Sequence, residues 1–247
     1  MSWLLFRDAV STWTHLLWML LALPATVILW RRSQGDRPKQ LSFLIFGVTL
    51  VICSGSSVLY HAVHRPHHIY WFETLDYIGI YLLIAGSCTP VAFNLLNGRW
   101  RWSILTLAWS MALVGICLRL TIGEVHPVIY TGYYMWMGWV LVSCYLELAR
   151  AVTHRAMSLI LVGGLFYSVG ATLNLAGWPV LWPGVFGPHE IFHLFVMAGS
   201  FTHFWFMFKY IVPFPRQRAD DGLEPDPPAR LGAEEMPDTL VSGSIQG

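Results

Sequence analysis

Three histidines, one aspartate and one serine stand out in this 247-residue chain because they interrupt long apolar runs. Ser57 and His61 are four positions apart, and so are His189 and His193. In a helix, residues at i and i+4 lie on the same face, one turn apart. Asp76 falls about one turn inside another apolar run. Ionisable groups in such runs are costly to bury and are therefore candidates for function.

Three neutral imidazoles are a typical ligand set for Zn²⁺, and His61, His189 and His193 would leave the fourth tetrahedral position open to water. An open position is typical of a catalytic site, where the metal lowers the pKa of bound water towards about 7 and polarises a carbonyl. Asp76 could take the proton of this water or orient a ligand. Ser57 could hold the water or a substrate oxygen. The alternatives are a polar cluster that only pins three helices together, and a metal without catalysis.

The run HEIFH at 189–193 also matches the H-E-x-x-H signature of zinc proteases, in which Glu190 would be the general base. That pattern alone is a weak signal, and no convincing downstream ligand motif follows it. Glu190 lies about 100° around the helix from His189 and could instead face the membrane interface. His15 and His203 lie within apolar runs, and we expect each to hydrogen-bond to a neighbouring helix.

Seven apolar runs are long enough to cross a bilayer as helices, which takes about 20 residues each. They cover residues 11–30, 41–63, 72–96, 102–120, 128–149, 156–176 and 188–212. Trp and Tyr gather near several of their ends, as an interfacial aromatic belt requires. The sequence therefore predicts an all-α membrane protein, a seven-transmembrane helix bundle over residues 1–212.

The composition supports a membrane protein, since 55% of the residues are hydrophobic and 12% are charged, against about 25% charged in a typical globular chain. Half of the 14 acidic residues follow position 219. From about Pro213 the chain is rich in Pro, Gly and acids, which predicts a disordered tail over residues 213–247. A net charge of +1 without a basic block disfavours nucleic-acid binding.

The parity of seven spans places the end of span 2, the start of span 3 and the start of span 7 on one side. The five polar residues are therefore expected at similar depth. That side carries three of the 15 Lys and Arg residues, and the other side carries twelve. The positive-inside rule then predicts a cytoplasmic C-terminus and an external polar cluster.

The chain resembles the hemolysin III family and the related progestin and adipoQ receptors of the adiponectin-receptor type, over nearly all of residues 11–212. Four segments carry the resemblance: SSVLYH at 56–61, LDYIGIYLLIAGSCTP at 75–90, GGLFYSVG at 163–170 and HEIFHLFVMAGSFTHF at 189–204. The likeness to the bacterial hemolysin III branch implies a bacterial plasma membrane.

This resemblance implies a seven-helix fold with zinc held by three histidines, which match His61, His189 and His193. It also implies a water-contacting aspartate, matching Asp76, and a nearby serine, matching Ser57. Relatives include ceramide hydrolases, so the implied reaction is hydrolysis of a lipid amide, with a ceramide-like membrane lipid as substrate or ligand. A cytolytic pore, and a receptor or sensor with structural zinc, stay open as alternatives. In adiponectin receptors the zinc side faces the cytoplasm, whereas the charge count here places it outside.

Overall fold

The computed structural model describes residues 6–123 and 125–215 of the chain. Helices make up most of this part, and its β-type pairing is limited to an isolated bridge between Trp182 and Phe186 in a loop. Of the predicted C-terminal tail, 213–247, all but the first three residues lie outside the described part, so its disorder stays a prediction.

Eight α-helices follow one another in the described part. They are α1 (Ala9–Arg32), α2 (Arg37–Ala62), α3 (Pro66–Leu95), α4 (Gly98–Ile122), α5 (Pro127–Gly138), α6 (Tyr145–Ala151), α7 (His154–Ala176) and α8 (Pro188–Phe206). A 3-10 helix, Val140–Cys144, joins α5 to α6, and a π-helical turn, Met207–Ile211, extends α8.

Six of these helices, as the structure describes them, are long and apolar enough to cross a membrane: α1, α2, α3, α4, α7, and α8 with its π-helical turn. Many of their large apolar side chains are exposed, among them Leu17, Leu113 and Leu165, as lipid-facing surfaces require. The chain is therefore a multi-pass α-helical membrane protein, and the prediction of membrane-spanning helices is confirmed for six of the seven.

The fifth predicted span, 128–149, is divided into α5, the 3-10 helix and α6. α5 ends at Gly138, a residue type that weakens helices. The indole Nε1 of Trp139 then donates to the Oγ of Ser168 on α7 at 3.0 Å. The hydroxyl of Ser143 donates to the carbonyl of Val140 at 2.6 Å, a local bond that competes with regular helical pairing.

This divided segment runs alongside α3 and in the same direction. The ring of Tyr130 lies near that of Tyr77, in the first half of α3, with the centroids 5.1 Å apart. Cys144 lies near Cys88, in the second half of α3. The chain therefore passes along the bundle between α4 and α7, although no single helix of the described part carries it.

The last two helices, α7 and α8, pack closely because small residues line their contact. Gly163 faces His203, and Gly170 faces Phe195, so the two helices are antiparallel. A methyl group at Gly170 would lie 2.5 Å from the Cβ of Phe195. Small residues that let backbones approach in this way are typical of membrane helix contacts.

The start of α1, the end of α2 and the start of α8 meet at one end of the bundle. The backbone N–H of Asp8 donates to the carbonyl oxygen of His61 at 3.0 Å. The hydroxyl of Ser11 donates to the carboxylate of Glu190 at 3.0 Å. These contacts hold together the end of the bundle where the sequence predicts a polar cluster.

Candidate metal site

His61, His189 and His193 meet at this end of the bundle. Each offers one ring nitrogen that lies within 4.8 Å of those of the other two. The Nε2 atoms of His61 and His189 are 3.2 Å apart, and the ring centroids of His189 and His193 are 4.4 Å apart. His61 and His193 are buried, and His189 is half-buried. The structure thus brings together the three histidines that the sequence singled out.

The local sequence explains how the α8 histidines come to this position. Pro188 occupies the start of α8, where its fixed φ suits the first helical turn and its missing N–H costs nothing. His189 therefore lies in the first turn of α8, and His193 follows one turn deeper on the same face. His61 belongs to the last turn of α2, so the loops at this end bring two helix termini together.

Glu190, the general base of the protease interpretation, has both carboxylate oxygens engaged. Its Oε2 accepts from the backbone N–H of Gly187 at 2.8 Å, which caps the start of α8. Its Oε1 accepts from the hydroxyl of Ser11 on α1. These contacts give Glu190 a structural role at the helix start, and they further disfavour the protease interpretation.

Ser57 and Asp76 are joined by a side-chain hydrogen bond. Ser57 is buried on α2, one turn deeper than His61, and Asp76 is half-buried on α3 and interacts electrostatically with His61. The carboxylate therefore lies beside the histidine cluster without supplying one of its three close ligand atoms. The structure therefore places Ser57 and Asp76 near the three histidines, and their roles stay a prediction.

Asp8 is a residue of the site that the sequence analysis missed. Its Oδ2 lies 3.0 Å from the Nδ1 of His61, and the Nε of Arg7 donates to the same oxygen at 3.0 Å. The hydrogen bond with His61, followed by Arg7, holds the pKa of the Asp8 carboxyl below its usual value, although partial burial acts the other way. Asp8 precedes the first apolar run, so it was not identified as a charged residue within a predicted span. The available signal was its spacing from Ser11 and His15, which places all three on one face of α1.

His15 and His203 have different surroundings, although the sequence predicted the same role for both. His203 interacts with the backbone of Ile160 on α7, as expected, and its buried Nε2 has no hydrogen-bond partner in the described part of the chain. The two ring nitrogens of His15 are buried without a hydrogen-bond partner in the described part of the chain, so that prediction is wrong. The His15 ring instead packs edge-on against His193, with the centroids 4.2 Å apart, because α1 lies against the start of α8.

The geometry of the three histidines fits a transition metal. Two nitrogens bound at 2.0–2.1 Å to a tetrahedral ion are about 3.3 Å apart, and the Nε2 atoms of His61 and His189 are 3.2 Å apart. Because the Nδ1 of His61 is bonded to Asp8, the lone pair of His61 is on Nε2, which lies at hydrogen-bond distance from the Nε2 of His189. The Nδ1 of His193 is buried and lacks a hydrogen-bond partner among the described residues. A buried ring nitrogen without a partner is costly, so a ligand bound to it would stabilise the cluster.

An apolar cavity begins one helical turn deeper than the polar cluster. It lies between α3, the divided fifth segment, α7 and α8. Cys53 and Ile80 line it, one turn deeper than Ser57 and Asp76 respectively. Phe192, next to His193, lines it as well. An elongated apolar group in this cavity would therefore extend away from the histidines.

A bundle of membrane-spanning helices with a three-histidine cluster between α2 and α8 defines a class of multi-pass membrane proteins with a polar site at one end. Within that class, the chain belongs to the Haemolysin-III related family, whose model matches residues 4–204. The resemblance stated from the sequence motifs is thereby confirmed.

Several known proteins are similar to the chain over most of its length. Hemolysin-3 of Bacillus cereus is 32% identical over 209 residues, which cover 84% of this chain and 93% of that protein. The Hemolysin-3 homolog of Bacillus subtilis (strain 168) is 31% identical, over 85% of this chain and 96% of its own. An adiponectin receptor protein of Drosophila melanogaster is 26% identical, over 81% of this chain and 50% of its own. No solved structure matches the chain.

Proposed function

We propose that this chain is a zinc-dependent hydrolase of an amphipathic membrane lipid, acting at an amide bond. The observation that carries the proposal is the meeting of His61, His189 and His193, one ring nitrogen of each within 4.8 Å of the others, beside an apolar cavity. A polar site at the membrane surface with an apolar cavity below it suits a substrate that has both a polar and an apolar part.

The three histidines would hold the metal, and each is a neutral nitrogen donor of the kind that zinc prefers. A bound zinc ion would supply a Lewis acid beside the scissile carbonyl. Only three protein ligands converge in the described part of the chain, so the site would keep one position for substrate or water. That ligand number is typical of catalytic rather than structural zinc sites.

Asp76 is the proposed general base. Its carboxylate oxygen would accept a proton from the attacking water and return a proton to the leaving amine, so that water is consumed and a fatty acid and an amine are released. The hydrogen bond between Ser57 and Asp76 would orient the carboxylate for this transfer. Proton transfer by a positioned side chain typically contributes about 10²–10⁴-fold to the rate.

The apolar cavity would bind the acyl chain of the substrate. Its lining between Ile80 and Phe192 is almost entirely hydrophobic, and burial of apolar surface contributes about 25 cal/mol for each Å². Because the cavity begins one turn below Ser57 and Asp76, a bound acyl chain would place its amide near the histidines. This argues for a long-chain N-acyl lipid of the ceramide type over a short or fully polar amide.

Seven crossings and an external site are part of the proposal. The divided fifth segment runs parallel to α3, which supports its being a seventh crossing. The distribution of Lys and Arg, three on the side of the histidines and twelve on the other, supports an external site and a cytoplasmic C-terminus in a plasma membrane.

The names of two relatives supply the competing functions. The Bacillus cereus relative is called a hemolysin, which motivates a cytolytic pore. The Drosophila relative is called an adiponectin receptor, which motivates a sensor whose metal is structural. A pore predicts leakage of dye from liposomes that contain the protein, and a sensor predicts metal binding without release of fatty acid.

The test compares wild type with His193→Ala and with His64→Ala, purified into lipid nanodiscs. His64 is an exposed histidine three residues after His61, so it controls for the loss of an imidazole. We expect about one zinc per chain by elemental mass spectrometry and release of fatty acid from a ceramide in wild type and His64→Ala. His193→Ala is expected to lose both. Zinc without turnover on any N-acyl lipid would favour the sensor, and absence of zinc from wild type after loading would exclude the proposal.

A further inference from the structure

One face of α1 lies against the histidine cluster without adding to its three close ligand nitrogens. Asp8, Ser11 and His15 are spaced three and four positions apart, so they follow one another along that face. Asp8 contacts His61, Ser11 contacts Glu190 beside His189, and His15 packs against His193. Each of these three contacts therefore reaches a ligand or its direct neighbour in the chain.

The contact between Asp8 and His61 is the most specific of the three. The Oδ2 of Asp8 lies 3.0 Å from the Nδ1 of His61. The backbone N–H of Asp8 also donates to the carbonyl oxygen of His61 at 3.0 Å. Two separate bonds thus fix the start of α1 against the last turn of α2, and they link residues that are 53 positions apart.

The carboxylate of Asp8 bonds to His61 and not to the backbone of its own helix. Asp8 stands at the N-cap position of α1, where an aspartate usually accepts from a backbone N–H of the first turn. Its side chain makes no such bond to the described start of α1. Arg7 donates to the same Oδ2 at 3.0 Å and also lies over the ring of Tyr60, with its guanidinium carbon 4.5 Å from the centroid. Arg7 therefore holds the carboxylate in place.

A carboxylate that accepts from Nδ1 decides which tautomer of His61 is present. With the proton on Nδ1, the lone pair lies on Nε2, the nitrogen that is 3.2 Å from the Nε2 of His189. Histidines that bind metals usually donate their other N–H to a carboxylate or carbonyl, which fixes the ring and raises its basicity. Asp8 and His61 are arranged in this way.

We propose that Asp8 is a positioning residue for the metal site: its carboxylate holds the His61 ring in the tautomer and orientation that binds zinc. This inference rests on the proposed function. The start of α1 would therefore contribute to metal affinity, although α1 supplies none of the three converging ring nitrogens.

The test measures zinc affinity by chelator competition in purified wild type, Asp8→Asn, Asp8→Glu and Glu147→Gln. The last variant removes a carboxylate from an exposed ion pair on α6 and is the matched control. We expect Asp8→Asn to weaken zinc binding about 10–100-fold, as is typical for loss of such a partner. Asp8→Glu should recover part of the affinity, and Glu147→Gln should bind zinc as wild type does.

Two further readouts separate positioning from a merely structural role. We expect the visible absorption of Co²⁺-substituted protein to change in Asp8→Asn, because the orientation of one ligand changes. The thermal unfolding midpoint of the metal-free protein should change little. A lower metal-free midpoint with unchanged zinc affinity would overturn the inference and make Asp8 a structural link between α1 and α2.

The outcomes also distinguish this inference from the proposed function. If wild type binds zinc and Asp8→Asn binds it equally well, the inference alone is wrong and the metal site stands. If wild type binds no zinc, the proposed function is wrong, and the role of Asp8 in metal binding is wrong with it.

Discussion

The Nε2 atoms of His61 and His189 lie 3.2 Å apart, although the two residues are 128 positions apart in the chain. The first belongs to the last turn of α2 and the second to the first turn of α8. Two imidazole nitrogens at this distance cannot both present lone pairs to each other without a proton or a metal between them. This pair therefore links α2 to α8 either through a proton, as a hydrogen bond, or through a bound metal ion.

Removal of the metal should lower the stability of the protein. A ligand that binds only the folded state, at a concentration 100 times its Kd, raises the free energy of unfolding by about 2.7 kcal/mol. Zinc between His61 and His193 would link α2 to α8. We expect a chelator to lower the thermal unfolding midpoint in detergent and added zinc to restore it. His64→Ala should respond as wild type does, and His193→Ala should not respond. A thermal unfolding midpoint of wild type that changes with neither chelator nor zinc would contradict this prediction.

The two carboxylates near the histidines should differ in their effect on turnover. We expect Asp76→Asn to lower kcat for release of fatty acid by about 10²–10⁴-fold, because it removes the proposed general base. Glu190→Gln should keep most of the activity, because Glu190 is engaged by Gly187 and Ser11. Its stability should change little, because the side-chain oxygen of Gln can still accept from the backbone N–H of Gly187. The opposite order of kcat values would revive the protease-like assignment of Glu190.

Replacement of glycine by alanine should be tolerated at one position of the bundle and should be destabilising at another. The added Cβ in Gly170→Ala would lie 2.5 Å from the Cβ of Phe195, so α7 and α8 must separate. We expect a loss of about 1–3 kcal/mol in the free energy of unfolding, measured by denaturant titration in mixed micelles. Gly132 on α5 has open space around its Cβ position, so Gly132→Ala should be neutral or stabilising. Equal stabilities of the two variants would refute the close contact of α7 with α8.

The ion pair between Glu73 and Arg119 should contribute more to stability than that between Glu147 and Arg150. The Arg119 side chain is 2% exposed and lies 2.9 Å from Glu73, whereas the Arg150 side chain is 71% exposed. We expect Glu73→Gln to cost about 1.5–3 kcal/mol, because Arg119 keeps its charge in a buried place. The corresponding Glu147→Gln change should cost at most about 1 kcal/mol. The same mixed-micelle titration measures both, and a larger loss in Glu147→Gln would show that burial does not decide the strength of these pairs.

The apolar runs and the residue types within them sufficed to predict six of the membrane-spanning helices. A helix is the main way for a chain to satisfy its own backbone hydrogen bonds in lipid, so length and hydropathy predict it directly. The shared face of His189 and His193 follows from helix geometry alone, whereas the expectation that His61 lies at the same end follows from the count of predicted spans. For the same reason the three histidines of the cluster could be predicted from the sequence.

The division of the fifth span could not be predicted in this way. Residues 128–149 are apolar enough for a helix, and the bond between Trp139 and Ser168 depends on a neighbour that is close only in the folded bundle. A mean hydropathy over a window of residues does not detect such local competition between side-chain and helical hydrogen bonds.

What the sequence determined by itself is the helical class, the helices of uniform hydropathy and the identity of the three histidines, since these follow from spacing within single segments. Only the tertiary structure decided that Asp8 bonds to His61, that His15 packs on His193 without a hydrogen bond, and that Ser11 on α1 bonds to Glu190 on α8. Each of these facts depends on how one helix is rotated against another. That rotation is set by side-chain packing between segments far apart in the chain, which no pattern within one segment contains.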